Sequence, residues 1–264
     1  MPVDFWIVDT FHNKPFCGVP AMVSFVDDFS NSQLLQNISM EINTPESIFL
    51  RKVNDTVFEA VCYTPVMKGL FFGNALYAAS KVIKEQTNLK KFSINCGMRV
   101  FIVEIEDDGK IKIRFSTVKL DKAGTPSNIN HAMNGELIVS LAECKNELII
   151  EIRSPSRLKD LQPNIEMFWN MKQDSFAITA DNHYETDVNY DFCAQVFAPR
   201  LGVYRSIISP IACTKLSAYW VNRFDKSSFI SSGIKGETVY IEHGDEYTYI
   251  SGNCVVSTKG HMEA

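Results

Sequence analysis

Two stretches of the chain predict helices that are apolar on nearly every side. The first runs from Leu70 to Lys84 and carries no charge before Lys81, and the second runs from Ser209 to about Phe224. A helix without a polar face has to be enclosed by other parts of the fold. Strand-like segments precede and follow each helix, so each half of the chain predicts a sheet wrapped around one central helix.

This arrangement predicts an α+β protein of two similar lobes, each a mixed or antiparallel β-sheet around a central apolar helix. Residues 119–136 are polar and rich in turn-forming residues, which indicates a linker. We therefore expect an N-terminal lobe over residues 1–118 and a C-terminal lobe over residues 137–264, with end segments that can cross between them. The regular strand-helix alternation of a parallel Rossmann sheet is missing.

Charge and motifs argue against several classes of function. The chain has 26 lysines and arginines against 31 aspartates and glutamates, a net charge of −5, so we expect no nucleic-acid partner and no membrane partner. No stretch approaches the roughly 18 apolar residues of a membrane helix, and the N-terminus lacks the basic start of a signal peptide. Glycine-rich phosphate loops are missing, which argues against nucleotide binding, and paired histidines are missing, which argues against a metal site. The sequence predicts a soluble, cytoplasmic protein.

Five blocks of the sequence resemble motifs of one family, the PhzF-like proteins, which are named for phenazine biosynthesis. The blocks occur in the family's order from residue 8 to residue 220, so the resemblance covers most of the chain. They are VDTF and PFCGVPAMV (residues 8–23, similar to VDAFT…PFxGNPAAVV), LQNISMEINTPES (35–47, MQxIAxEMNLSET), TP and FGNALYAA (64–79, FTP…CGHATLAAA), DF…FAP..G (191–202, DFVSRFFAPxxG) and LSAYW (216–220, LAPYW).

The resemblance implies the fold of diaminopimelate epimerase, with an active site in the cleft between two lobes. It implies an isomerase or epimerase that moves a proton between carbons of a small carboxylated metabolite, without a metal or an organic cofactor. It also implies a homodimer. The N-termini of the two enclosed helices would face the cleft, where unpaired N–H groups can bind a carboxylate.

The resemblance assigns the general acid/base role to Glu46. A carboxyl group in a closed cleft loses solvation, which raises its pKa and lets it accept and return a proton near neutral pH. The N–H groups of Gly73 and Asn74 would hold the substrate's acid group, and Ser206 or Ser209 would offer a second polar contact. Periodicity alone favours an alternative, in which Glu46 is a solvated side chain at the start of a strand.

Several positions depart from the family's motifs. Val19 stands where the family has asparagine, Phe72 where it has cysteine, and Asn74 where it has histidine. In the segment matching EDPVTGSA, Ser206 replaces the acid, and Pro210 lacks the N–H that would complete an anion site. A second hypothesis is therefore a catalytically degenerate relative that binds a small acid or a protein partner without turnover. These departures leave the substrate open.

Overall fold

A computed structural model describes residues 2–69, 72–183, 189–233 and 236–263 of the chain, apart from the side chains of residues 2 and 205–207. The chain divides into two compact units. Unit 1 comprises Met1–Phe115 together with Tyr249–Ala264, and unit 2 comprises Ser116–Thr248. The C-terminal segment thus belongs to the same unit as the N-terminus, whereas the lobe boundaries expected above stay a prediction.

Unit 1 consists mostly of strands, with one amphipathic helix and one buried helix. Its elements are β1 (Pro2–Thr10), β2 (Val19–Phe25), α1 (Ser32–Ile42), β3 (Glu46–Lys52), β4 (Val57–Tyr63), β5 (Lys68–Gly69), α2 (Gly73–Thr87), β6 (Lys91–Cys96), β7 (Arg99–Ile105), β8 (Ile111–Ser116) and, at the other end of the chain, β18 (Cys254–Glu263).

Unit 2 is built in a similar way. Its elements are β9 (Asp121–Lys122), α3 (Ile129–Ala132), β10 (Ile138–Cys144), β11 (Glu147–Ile152), α4 (Pro155–Asp160), α5 (Ile165–Trp169), β12 (Ser175–Asp181), β13 (Phe192–Ala198), a 3-10 turn (Pro199–Leu201), β14 (Val203–Ile207), α6 (Pro210–Phe224), β15 (Ser228–Ser232), β16 (Thr238–His243) and β17 (Tyr247–Gly252), which runs into unit 1.

The strands of the two units pair in the same order of directions. In unit 1, β1–β2 is antiparallel, β2–β3 parallel, β3–β4 antiparallel, β4–β6 parallel and β6–β7 antiparallel. In unit 2 the pairs β10–β11, β11–β12, β12–β13, β13–β15 and β15–β16 repeat that alternation. Each parallel pair needs a crossover, and helices supply it: α1 and α2 in unit 1, α4 with α5 and then α6 in unit 2. The predicted α+β class with repeated sheet-and-helix lobes is confirmed.

The helix α2 is buried along most of its length, as its sequence predicts. Ten of its residues between Gly73 and Ile83 are buried, and the helix packs against β1, β2, β3 and β18. In unit 2, α6 packs against β16, with Tyr219 and Trp220 only 3% and 1% exposed. Both helices are nevertheless too short to span a bilayer, and no helix in the described ranges is long and apolar enough to do so.

The segment 119–136, which its composition predicts to be a linker, contains β9 and α3. Ile129, Ala132 and Met133 are buried there and belong to the hydrophobic core of unit 2, together with Phe168 and Phe176. The turn-forming residues of the segment thus surround a short apolar stretch that packs inward.

Candidate active site

Glu46 is the first residue of β3, and its side chain is buried, with 5% exposed. The strand lies between β2 and β4, and Glu46 pairs with Ala21 of β2 in parallel register. The Thr44 hydroxyl donates a hydrogen bond of 3.0 Å to the Glu46 carbonyl, which fixes the start of the strand. The carboxyl group is therefore enclosed in unit 1, unlike the solvated side chain that periodicity alone favours.

The Glu46 carboxylate binds the N-terminus of α2. Its Oε2 accepts a hydrogen bond of 2.7 Å from the Ala75 backbone N–H, and its Oε1 accepts one of 3.3 Å from Asn74 Nδ2. Phe72 occupies the N-cap position of α2 and makes no side-chain capping bond. A carboxylate from another element thus satisfies donors that the helix leaves unpaired, at the end where its dipole favours negative charge.

Two opposing effects set the protonation of Glu46. Burial raises the pKa of this carboxyl to about 7, although hydrogen bonds from Ala75 and Asn74 favour the ionised form and oppose the rise. The acid and the carboxylate forms therefore coexist near neutral pH. The backbone N–H of Asn74 donates a further hydrogen bond to this carboxyl, which also favours the ionised form.

Asn74 is itself held by Thr10, the last residue of β1. The Thr10 hydroxyl lies 3.3 Å from Asn74 Oδ1 and 3.1 Å from the carbonyl oxygen of Val19, and all three residues are buried. Gly18 packs directly on this strand end, because a Cβ atom there would lie 2.4 Å from the Thr10 carbonyl oxygen. A glycine is required at that point of the loop.

The loop between β1 and β2 is attached to the same strand end. Asp9 Oδ2 accepts a hydrogen bond of 2.6 Å from the backbone N–H of Phe16. Phe16 has a φ of 67° and a side chain that is 83% exposed. Asp9 thus holds a loop residue whose φ lies in the left-handed region, which residues other than glycine rarely adopt.

Cys62 is a thiol close to Glu46 that the motif comparison does not single out. A hydrogen bond with Cys96 and burial raise the pKa of the Cys62 thiol well above its usual value, and the charge of Glu46 adds to the rise. A thiol in that state stays protonated at neutral pH and is a poor base or nucleophile. Cys62 therefore does not replace the cysteine that Phe72 displaces from the family motif.

The two serines predicted for the site lie in unit 2. Ser209 is the N-cap of α6, and its hydroxyl accepts a bond of 3.5 Å from the Ala212 N–H, with Pro210 at the first helical position. Ser206 lies in β14, and its side chain is outside the described part of the structure. The structure thus brings Glu46, Gly73 and Asn74 together in unit 1, whereas the contribution of the serines stays a prediction.

Sequence reasoning missed Thr10 and Ala75 as partners of the site. Thr10 is 64 residues from Asn74, and Ala75 is 29 residues from Glu46. Contacts over such separations depend on strand order, which no local pattern encodes. Among the described residues, no group of three or more His, Cys, Asp or Glu side chains is arranged to hold a metal ion.

Comparison with known proteins places this geometry in a family. The family described as phenazine biosynthesis-like protein, PhzC-PhzF, matches residues 8–260. The chain belongs to this family. Among curated relatives, an uncharacterized isomerase of Halalkalibacterium halodurans is 23% identical over 99% of both chains. The predicted family membership is confirmed, and several curated relatives of the chain are named isomerases.

Solved structures of this family and of epimerases share the fold. A PhzF-family protein from Enterococcus faecalis superposes with a TM-score of 0.90 at 18% identity, covering all of both chains. A hydroxyproline epimerase from Agrobacterium vitis, solved with trans-4-hydroxy-L-proline bound, gives a TM-score of 0.64 at 9% identity, covering 98% of this chain and 92% of the epimerase. At such identities the likeness shows the fold, and the predicted epimerase-like architecture is confirmed.

Proposed function

We propose that this chain is an isomerase or epimerase that moves a proton on a small carboxylated metabolite without a cofactor, with Glu46 as the general acid/base. One observation carries the proposal: Glu46 is a buried carboxyl with a pKa of about 7, oriented by donors at the N-terminus of α2. General acid/base groups work best when their pKa lies near the working pH, and few surface carboxyls meet that condition.

The proposed reaction needs Glu46 in both protonation states. The ionised carboxylate accepts a proton from a carbon of the substrate, and the electron pair of the broken C–H bond delocalises into the adjacent unsaturated group. The protonated Glu46 then donates this proton, or one exchanged with solvent, to another carbon on the same face of the substrate, whereas inversion of a single carbon needs a second proton donor on the opposite face. Hydrogen bonds from Ala75 and Asn74 stabilise the ionised form while burial stabilises the neutral one, so neither state is costly to reach.

The geometry refines the roles predicted for Gly73 and Asn74. The Ala75 N–H is already bound by Glu46, and Asn74 also acts on Glu46 through its side chain and backbone. We therefore assign the substrate's acid group to the Gly73 N–H at the first position of α2, where the helix dipole favours an anion. Ser206 and Ser209 are proposed to supply a further polar contact to the substrate.

The substrate class follows from chemistry and from one relative. A carbon next to a carboxyl group, or conjugated with one, loses a proton more readily than other carbons, because the negative charge that develops delocalises into that group and can be stabilised by N–H donors. The Agrobacterium vitis epimerase was solved with trans-4-hydroxy-L-proline bound, a small acid that carries an amine and a hydroxyl group. We propose a substrate of this class for the present chain, and we likewise propose that the protein acts in the cytoplasm as a homodimer.

A second candidate function is binding of a small acid or a protein partner without turnover. It is favoured by the N-terminus of α6, where Pro210 has no N–H and the Ser209 hydroxyl accepts from the Ala212 N–H. The N-terminus of α6 therefore has fewer free backbone N–H groups than an uncapped helix N-terminus. Fewer donors would weaken the stabilisation of a reacting anion at that end.

A panel of small chiral carboxylic acids tests the proposal, with trans-4-hydroxy-L-proline among them. Optical rotation of each acid would be followed with the wild type, with Glu46→Gln and with Glu41→Gln, which removes an exposed carboxyl on α1. We expect the optical rotation of one acid to change with the wild type and with Glu41→Gln. With Glu46→Gln the rate of that change should fall by at least about a hundredfold. Full activity in Glu46→Gln would remove this residue from the mechanism, and binding without change would support the second candidate.

A further inference from the structure

The Thr10 hydroxyl has one proton and two acceptors within reach. Asn74 Oδ1 lies 3.3 Å away and the Val19 carbonyl oxygen 3.1 Å away, and Thr10, Val19 and Asn74 are almost fully buried. A hydroxyl can donate one hydrogen bond and accept two. Its position beside the Asn74 side chain therefore bears on which way the amide faces.

We propose that Thr10 is a positioning residue that orients the Asn74 amide so that its NH₂ group, rather than its oxygen, faces Glu46. When Thr10 donates to Asn74 Oδ1, the Nδ2 atom on the other side of the amide is directed to Glu46 Oε1. Thr10 itself does not touch the carboxyl, so it acts on the proposed acid/base only through Asn74. The catalytic part of this inference rests on the proposed function.

The orientation of the amide decides which form of Glu46 is favoured. An NH₂ group facing the carboxyl donates to the carboxylate and stabilises the ionised form. An amide oxygen in the same place would repel the carboxylate and accept a hydrogen bond from the neutral acid, so it would stabilise the protonated form. The two orientations thus move the ionisation of Glu46 in opposite directions.

The other groups at Glu46 do not provide this control. The Ala75 backbone N–H is fixed by the helix, and the backbone N–H of Asn74 acts in the same direction. The charge of Glu46 is felt by the Cys62 thiol, which stays neutral because its pKa is raised well above the usual value. Among the contacts of the carboxyl in the described part of the structure, the Asn74 amide is the one whose polarity can reverse, and Thr10 is a partner of that amide.

The test is a titration of Glu46 in the whole protein without substrate. The protein would be labelled with ¹³C at glutamate carboxyl groups, the Glu46 signal assigned by its loss in Glu46→Gln, and the midpoint compared among the wild type, Thr10→Val and Thr10→Ser. Thr10→Val deletes the hydroxyl at similar volume, and Thr10→Ser keeps it. Thr179→Val is the matched control, because Thr179 is a buried threonine in unit 2 whose hydroxyl donates a hydrogen bond of 2.8 Å to the Cys193 carbonyl oxygen.

We expect the Glu46 midpoint to rise by about one pH unit in Thr10→Val, the effect of losing one hydrogen bond to a charged group. Thr10→Ser and Thr179→Val should keep the wild-type midpoint. Should Thr10→Val not fold, Thr10→Ala supplies the same comparison. An unchanged midpoint in a folded hydroxyl-free variant would overturn the proposal, as would a shift of equal size in Thr10→Ser.

This readout separates the two proposals. A shifted midpoint in a protein that turns over no substrate would support the role of Thr10 and count against the proposed function. An active protein with an unshifted midpoint would support the function and overturn the role of Thr10. If both hold, the pH dependence of kcat/KM should move with the Glu46 midpoint in Thr10→Val.

Discussion

At the Glu46 carboxyl, burial and hydrogen bonding have opposite effects on the pKa. Burial alone would favour the protonated acid, while the Ala75 N–H and the Asn74 amide favour the carboxylate. The resulting pKa of about 7 has a consequence for stability that does not depend on any substrate.

We predict that the wild type loses stability relative to Glu46→Gln as the pH rises. The folded-state pKa of Glu46 is raised from 4.5 to about 7, so the folded protein binds this proton more tightly than the unfolded chain does. The contribution of Glu46 to the free energy of unfolding is therefore fully present below about pH 4.5 and is lost as the pH rises through about 7. Urea unfolding at pH 5 and pH 8 should show a relative loss on the order of 2 to 3 kcal/mol.

Glu46→Gln is a suitable reference because an amide does not titrate between pH 5 and pH 8. Any fixed cost of the substitution therefore cancels when the two pH values are compared. Glu41→Gln, which removes an exposed carboxyl, should have the same free energy of unfolding as the wild type at both pH values. A constant difference between the wild type and Glu46→Gln from pH 5 to pH 8 would contradict the prediction.

A second prediction concerns the rate. If ionised Glu46 removes the substrate proton, kcat/KM should rise with pH and reach half its plateau near pH 7, because this parameter reports ionisation of the free enzyme. The measurement is kcat/KM from pH 3.5 to pH 9 with the acid identified in the panel. A half-plateau near pH 4.5 would show that the reacting carboxyl is not the buried one.

At the scale of single residues, the motif comparison predicts the position of Glu46, while the groups that surround its side chain depend on the fold. The raised pKa follows from burial at the start of a central strand, which the sequence pattern by itself does not favour. The contacts with Ala75 and, through Asn74, with Thr10 join residues on three different elements. Since each contact requires the strand order of unit 1, local sequence carries no signal for it.

At the scale of elements, the loop between β1 and β2 depends on one close approach. A Cβ atom on Gly18 would lie 2.4 Å from the Thr10 carbonyl oxygen, a backbone atom that cannot turn aside. We predict that Gly18→Ala lowers the free energy of unfolding by about 1 to 3 kcal/mol and reduces activity by displacing the strand end. Urea unfolding and the panel assay measure the two effects.

Gly124→Ala is the control for that substitution. A Cβ atom on Gly124 would have no neighbour within 4 Å, so the change should stay within about 0.5 kcal/mol of the wild type. Equal losses of stability in Gly18→Ala and Gly124→Ala would mean that the contact with Thr10 is not the cause.

The two buried helices begin in different ways, which gives a further prediction. The N-terminus of α6 is capped by the Ser209 hydroxyl, whereas that of α2 is capped by the carboxyl of Glu46. Ser209→Ala should therefore cost about 1 kcal/mol in urea unfolding, and Ser209→Asp should restore most of it, because aspartate is also a good N-cap. An Asp variant as unstable as the Ala variant would argue against capping as the role of Ser209.

The elements that could be predicted are those whose own residues determine them. Both α2 and α6 are recognisable because apolar and small residues surround the helix, and α6 also starts with a serine and a proline. The strands β10 and β15 carry no comparable signal in the sequence. In β10 the side chain of Val139 is 53% exposed, and β15 is serine-rich and begins a few residues after α6, so neither has a clear alternation.

At the scale of the whole molecule, each unit repeats one order of strand directions around a buried helix. The sequence predicts the repetition of strands, helix and strands, and the comparisons confirm the fold class. The strand pairing itself could not be predicted, because β2 pairs with β3 and β4 with β6 across the intervening helices. The return of β18 to β1 also joins residues about 250 positions apart.

The most direct test of the account is proton NMR of the acid panel in deuterated buffer, with the wild type, Glu46→Gln and Glu41→Gln side by side. We expect deuterium to enter one carbon of one compound with the wild type and with Glu41→Gln, and no incorporation above background with Glu46→Gln. Incorporation by Glu46→Gln at the wild-type rate would contradict the account. Line broadening of one acid by all three proteins, without exchange, would instead support a protein that binds and does not catalyse.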